Sequence, residues 1–198
     1  MFFVRQRGNK CGLLAIQNML QSAALAEKDM CLARDAVLEE TGDSVANHES
    51  GGGFWSISVI VKVLLQNGYT VEQGVRTLDG KREWTSRPLQ ELLQDKLFRG
   101  VILHQRENHH YACLRPQSGD LMYVDSQADG PIGIGSKLAA RRCLAEAYAW
   151  EPFIVFGQPM KYVAPVELGE IVRHQASRPS EQFMAEWNQF KEQKESTN

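Results

Sequence analysis

The hydrophobic pattern of this chain changes period once, and that change limits the fold more than any other feature. Up to about residue 68 the apolar residues recur at helical spacing. Leu13, Leu14, Ile16, Met19 and Leu20 form a broad stripe within 12–21. A second helix is predicted over 29–40, closed by Gly42. A third follows the N-cap residue Ser56 and ends at Gly68, with Ile57, Val59, Ile60, Val63 and Leu64 turned to a core. Beyond residue 100 the runs "GVILHQ", "HYACLR", "LMYVDS" and "PFIVFG" are strand-like, and "PQSGD" is a turn cluster between the second and third. "YTVEQ" reads as a short strand, "RPLQELLQDKLF" as a helix entered through proline, and 136–150 as a helix. The polar, glycine-rich "GDSVANHESGGG" reads as a loop. Helices first and antiparallel strands after them predict an α+β fold, with N-terminal helices packed on an antiparallel sheet.

The bulk numbers narrow the function by exclusion. A length of 198 residues suits one domain with an appendage. A net charge of -2 leaves no electrostatic footprint for nucleic acid. No block of basic residues suits a membrane surface, and no apolar run approaches a membrane span. The opening "MFFV" is too short for a signal-peptide core, and Arg5 and Arg7 interrupt it. The cysteines Cys11, Cys31, Cys113 and Cys143 form no CxxC pair, which argues against a zinc ribbon or a thioredoxin-type site. The expectation is a cytoplasmic protein with reduced thiols, with the nucleus or delivery into a host cell as other destinations, and with no metal and no cofactor. The polar tail carries "SEQFMAEWNQFKEQ", where Phe183, Trp187 and Phe190 fall at helical spacing. That helix either packs on its own domain or meets a partner. The chain is therefore divided into a domain over 1–162 and a partly helical extension over 163–198.

Two segments carry chemistry. In "QRGNKCGLLAIQNML", Cys11 stands where a polar loop becomes a helix. A helix N-terminus offers about half a positive charge and unpaired N–H groups, which stabilise a thiolate and an oxyanion alike. A lone cysteine is more often simply buried, so Cys11 needs a partner before it means anything. The hairpin supplies one. With a turn centred between Gln117 and Ser118, facing residues have position numbers that sum to 235, and His110 faces Asp125. Cross-strand neighbours lie about 4.5–5.5 Å apart at Cβ, close enough for a carboxylate to orient an imidazole. In that register His109 takes the other face, opposite Ser126, and a slip of one residue would exchange the two histidines. A His109–His110 metal site with His104 and Cys113 matches no common zinc spacing. His48 and His174 fall in loop and tail and are expected to be solvated. Gln6, five residues before Cys11, is a candidate amide donor to an oxyanion.

These pieces resemble the Josephin family. "QRGNKCGLLAIQNML" is similar to the family's opening, with a glutamine five residues ahead of the catalytic cysteine. "GGGFWSISVIVKVL" resembles its Gly-Phe-Phe-Ser-Ile helix entry, and "HYACLRPQSGDLMYVDS" its histidine strand, turn and acid strand. The resemblance covers roughly residues 2–160 and selects His110 over His109. It implies a papain-like fold and a thiol-dependent deubiquitinase. Cys11 would be the nucleophile, His110 the general base, Asp125 its orienting acid and Gln6 part of the oxyanion hole. The partner would be ubiquitin or polyubiquitin, its Gly-Gly tail in a narrow channel with Trp55, Phe54, Tyr111 and His109 as wall residues. The chain departs from the family in a shorter stretch between Cys11 and "GGGFWS", where the family has a long helical hairpin, and in a longer connection from Gly68 to Val101. Two other readings use the same residues. One is a papain-like peptidase or acyltransferase for another modifier or peptide; the other is a catalytically weak ubiquitin-binding module.

Overall fold

Helix α1 (Cys11–Leu20) is enclosed on all sides, because every residue from Cys11 to Met19 is buried. The sequence predicts an apolar stripe, yet the helix also buries Gln17 and Asn18. Asn18 is satisfied at both ends of its amide, and Gln17 at its Nε2. Gln17 Nε2 donates to the Leu25 carbonyl at 2.7 Å. Asn18 Oδ1 accepts the Val4 N–H at 2.8 Å, and its Nδ2 donates to the Val4 carbonyl at 3.2 Å. Asn18 thus pairs with Val4 as a neighbouring strand residue would.

The computed structural model describes residues 3–6, 8–78, 81–135, 150–164 and 171–172. Strand β1 (Phe3–Val4) precedes α1, which is followed by α2 (Glu27–Thr41) and α3 (Val45–His48). Next come β2 (Glu49–Ser50), β3 (Phe54–Trp55), α4 (Ile57–Gln66) and β4 (Thr70–Gln73). Strands β5 (Val75–Leu78) and β6 (Lys81–Trp84) and helix α5 (Leu89–Leu92) lead to β7 (Phe98–Gln105). The chain continues through β8 (His110–Gln117), β9 (Asp120–Val124), β10 (Ile132–Gly133), β11 (Trp150–Phe156) and β12 (Ile171–Val172). The class is α+β, as the sequence predicts. Six strands form one antiparallel sheet in the order β10-β9-β8-β7-β11-β4.

Strand alternation divides the core between the two faces of this sheet. Ile102, Tyr111, Cys113, Met122 and Val124 pack with residues of α1, α2 and α4. Val101, Leu103, Ala112, Leu114, Leu121 and Tyr123 pack with Trp150, Leu89 and Leu92 on the other side. Within β7, Gly100 permits a close approach. Its φ is +147°, and a Cβ there would lie 2.3 Å from the Leu114 carbonyl oxygen and 2.8 Å from Met19 Cγ of α1. The β7–β11 pairing is irregular at the same point, with Gly100 opposite Val155 and Phe98 opposite Phe156.

Several expectations need correction. The 118–119 turn puts Cys113 opposite Val124 and Gln117 opposite Asp120, so facing positions sum to 237 rather than 235. Ser118 and Gly119 both have positive φ, +52° and +83°, as a two-residue type I′ turn requires. The hairpin therefore turns one residue later than the composition of "PQSGD" suggested. "GDSVANHESGGG" is a short helix and a small hairpin, α3 and β2–β3. Its His48 is buried rather than solvated, with Nδ1 2.9 Å from Ser56 Oγ at the start of α4. The helix expected over "RPLQELLQDKLF" is only the four residues of α5, and the β5–β6 hairpin was unforeseen. The third helix ends at Gln66, and the second runs slightly beyond its expected ends. β12 falls in the extension over 163–198 and pairs with β1, so that extension returns to the start of the chain. The helices expected over 136–150 and around Trp187, with Cys143 and His174, lie outside the described residues, except that Trp150 opens β11. Among the described residues no helix is long and apolar enough to cross a membrane.

Gly100→Ala is expected to lower stability by at least about 2 kcal/mol, because a Cβ meets a backbone carbonyl that cannot swing away. Urea unfolding checks this: the midpoint should fall with the slope unchanged.

Candidate active site

The start of α1 is left open by its own sequence. Lys10 at the N-cap position makes no side-chain cap, so no side chain takes up the first-turn N–H groups of Cys11, Gly12 and Leu13 in the usual way. Lys10 instead reaches Glu27 at 2.6 Å. The approach loop is fastened to the β2–β3 turn by Asn9 Nδ2, which donates to the Gly51 carbonyl at 2.8 Å. The thiol of Cys11, only 1% exposed, donates to the His109 carbonyl at 3.6 Å. What His109 brings to the sulfur is thus its backbone. Its side chain is exposed, on a turn residue with φ +48°, and it does not face Ser126.

His110 opens β8 and meets Asp125 just beyond the end of β9. Its Nε2 lies 3.0 Å from both carboxylate oxygens. In the observed register Asp125 is a diagonal neighbour rather than the facing one. The error of two in the expected sum preserved which face each side chain takes, so the contact survives. Nδ1, the other ring nitrogen, is buried and makes no hydrogen bond. Burial opposes a charge on this ring. The hydrogen bond to Asp125 and the nearness of Asp125 and Cys11 outweigh it and push the imidazole up to about 9. Cys11 therefore acts on His110 even while its proton points at His109. Asp125 is held below the usual carboxylate range: burial raises it, but His110, the Gln127 N–H and the Tyr123 hydroxyl together lower it further. Gln127 N–H donates to Oδ1 at 2.9 Å and Tyr123 Oη to Oδ2 at 3.1 Å. Trp150 packs near the His110 ring, with centroids 6.1 Å apart.

The remaining candidates divide by their contacts. Gln6 is brought to the acid's turn: its N–H donates to the Ser126 carbonyl at 2.7 Å, and Ser126 Oγ donates to its Oε1 at 3.1 Å. Its Nε2 donates to the Gly8 carbonyl. Phe54, Trp55, Tyr111 and His109 share one cleft of about 270 Å³, with His48, His104 and Arg106 among its other walls. Trp55 and Tyr111 contribute little accessible surface there, being 4% and 1% exposed. Tyr111 is chiefly a strut, its hydroxyl donating to the Trp55 carbonyl at 2.9 Å. His104 sits in a different setting. Its Nδ1 is 3.3 Å from Glu151, its ring stacks on Tyr111 at 4.7 Å, and burial lowers its pKa despite Glu151. Cys113 is fully buried, which pushes its thiol far up and leaves it inert. A groove of about 380 Å³ between α2 and α4, lined by Val37, Ile57, Val61 and Leu65 among others, holds none of the candidates.

Sequence reasoning passed over Tyr123 and Ser126. The signal for Tyr123 was its position two before Asp125, on the same strand face. Ser126 was noted only as a facing residue for His109.

The native imidazole of His110 is expected to stay protonated through neutral pH and to titrate near the value above, and Asp125→Asn is expected to lower that midpoint. Long-range ¹H–¹⁵N NMR of the ring nitrogens reads this directly. A native midpoint at or below that of a free histidine would remove Asp125 as its charge partner. Because the folded value of about 9 lies above the unfolded 6.5, the contribution to stability is complete below 6.5 and is lost as pH rises through about 9.

No protein-family model matches the chain, and no curated protein matches it.

Proposed function

We propose that the chain is a papain-like cysteine peptidase of Josephin type, which hydrolyses the bond after the C-terminal glycine of ubiquitin. The observation that carries this reading is that Cys11, at an uncapped helix start, bonds the backbone of His109, next to His110, whose ring is held by Asp125. The reacting form is the ion pair of a Cys11 thiolate and the His110 imidazolium, with the proton on Nδ1, the nitrogen that has no hydrogen bond to a described residue in the resting arrangement. The sulfur attacks the glycine carbonyl carbon. The first-turn N–H groups of α1 and the Gln6 amide receive the charge that develops on oxygen. His110 then returns the proton to the leaving amine as the C–N bond breaks. Water, deprotonated by the same ring, hydrolyses the thioester and frees the thiol. Asp125 keeps Nε2 engaged and the ring aligned throughout. The cleft lined by Phe54, Trp55, Tyr111 and His109 is the proposed place for the tail.

A ubiquitin probe with a C-terminal electrophile tests the reading. We expect a covalent gel shift with the native protein and none with Cys11→Ala. No shift, while iodoacetamide still labels Cys11 rapidly at neutral pH, would keep the peptidase and discard ubiquitin. An inert Cys11 would discard both and leave a binding module. In turnover of a fluorogenic ubiquitin amide, His110→Ala should cost about 10²–10⁴-fold. Asp125→Ala should leave clear residual activity, and His109→Ala should be mild because its contribution is a backbone carbonyl.

A further inference from the structure

The turn that supplies Asp125 also holds Gln6, and the two bonds it makes to Gln6 do different jobs. The backbone bond from the Gln6 N–H to the Ser126 carbonyl, at 2.7 Å, fastens the approach loop. That bond survives any change of side chain at 126. The side-chain bond, from Ser126 Oγ to Gln6 Oε1 at 3.1 Å, is therefore not needed to keep the loop in place. It has a separate consequence for the carboxamide. The Gly8 carbonyl can only accept, so it fixes which end of the carboxamide is Nε2. Oε1 must then face Ser126, whose hydroxyl must donate. Ser126 is 2% exposed, so water does not compete for this bond. With both ends of the amide assigned, one N–H of Nε2 is spent on Gly8 and the second is held in a fixed direction.

We infer that Ser126 is a positioning residue that aims the Gln6 carboxamide, so that one turn, 125–128, sets both the acid partner of His110 and the oxyanion donor. The turn is itself rigid, closed by the Ala128 N–H to the Asp125 carbonyl at 3.0 Å and by the Gln127 N–H to Asp125 Oδ1 at 2.9 Å. The inference rests on the hydrolase reading for its kinetic consequence, but its structural content stands apart from that reading.

A double-mutant cycle on the full chain tests it, with ubiquitin carrying a C-terminal aminocoumarin amide as substrate. Gln6→Ala should lower kcat about 10²–10³-fold, the loss usual for one oxyanion donor. Ser126→Ala should lower kcat roughly 10-fold with KM unchanged, as outer partners of reacting groups do. In the Gln6→Ala background the same serine change should cost nothing, because its only route to the reaction has been removed. An equal loss in both backgrounds, or native kcat in Ser126→Ala, overturns the inference. The ¹⁵N relaxation of the Gln6 side-chain NH₂ is the second readout: ordered in the native protein, mobile in Ser126→Ala. Equal mobility in the two overturns the inference even if the native protein cleaves no ubiquitin amide, an outcome that would discard the hydrolase reading alone. Should Ser126→Ala not fold, Ser126→Cys, close in shape but a weak donor, must give the same two results.

Discussion

The burial of α1 against β7 and β8 is the constraint on which the other features depend. A helix enclosed on every side has no solvent face to absorb error, so its neighbours must meet it at fixed points. Gly100 clears the way for Met19 and for the Leu114 carbonyl at one end. At the other end Gly12 lies against the Tyr111 ring, where a Cβ would be 3.4 Å from the nearest ring carbon. Tyr111 in turn is tied to the Trp55 carbonyl. The start of the helix is thus located by the sheet, the β2–β3 hairpin and the approach loop together. Cys11 inherits that precision without contributing to it.

The polar side of the arrangement shows the same economy. The Asp125 side chain is only 16% exposed, a costly place for a carboxylate, and it is kept charged by three donors, His110, Tyr123 and the Gln127 N–H. His110 is charged for the complementary reason. Each of the pair would be unfavourable alone in that setting, which makes the pair a unit rather than a sum. Arg106 and His104 crowd around Glu151 near the same end of the sheet, but there burial prevails and the ring's pKa falls. Two histidines six positions apart thus carry opposite shifts: Asp125 and Cys11 together outweigh burial at His110, whereas at His104 burial prevails over Glu151 and the Arg106 charge adds to it.

Much of this was legible in the residues. Helical and strand periods give the class, and Ser56 caps α4 as its type suggests, with Oγ accepting the Val59 N–H. The contact of His110 with Asp125 was readable even from a register that was wrong by two, because strand parity, not exact pairing, decides which side chains share a face. The turn itself was misjudged because Ser118 adopts a left-handed conformation that its side chain does not advertise. The loop before β3 was misread because His48 and Glu49 are polar by type yet are placed by tertiary bonds, His48 to Ser56 and Glu49 to Arg34. The end of Gln6 was half legible: its distance from Cys11 along the chain suggested a donor, but nothing local revealed that Ser126 would hold it.

The pairing of Asn18 with Val4 has a practical corollary. A side chain in the last turn of the buried helix grips the backbone of β1, and Gln6, two residues further on, is gripped by Ser126. The segment leading to Cys11 is therefore moored before and behind. Residues 3–6 are thus part of the frame around Cys11. Substitutions among them would be felt at the Cys11 thiol as well as in the fold, and thiol-labelling rates of such variants would report the mooring as much as the chemistry.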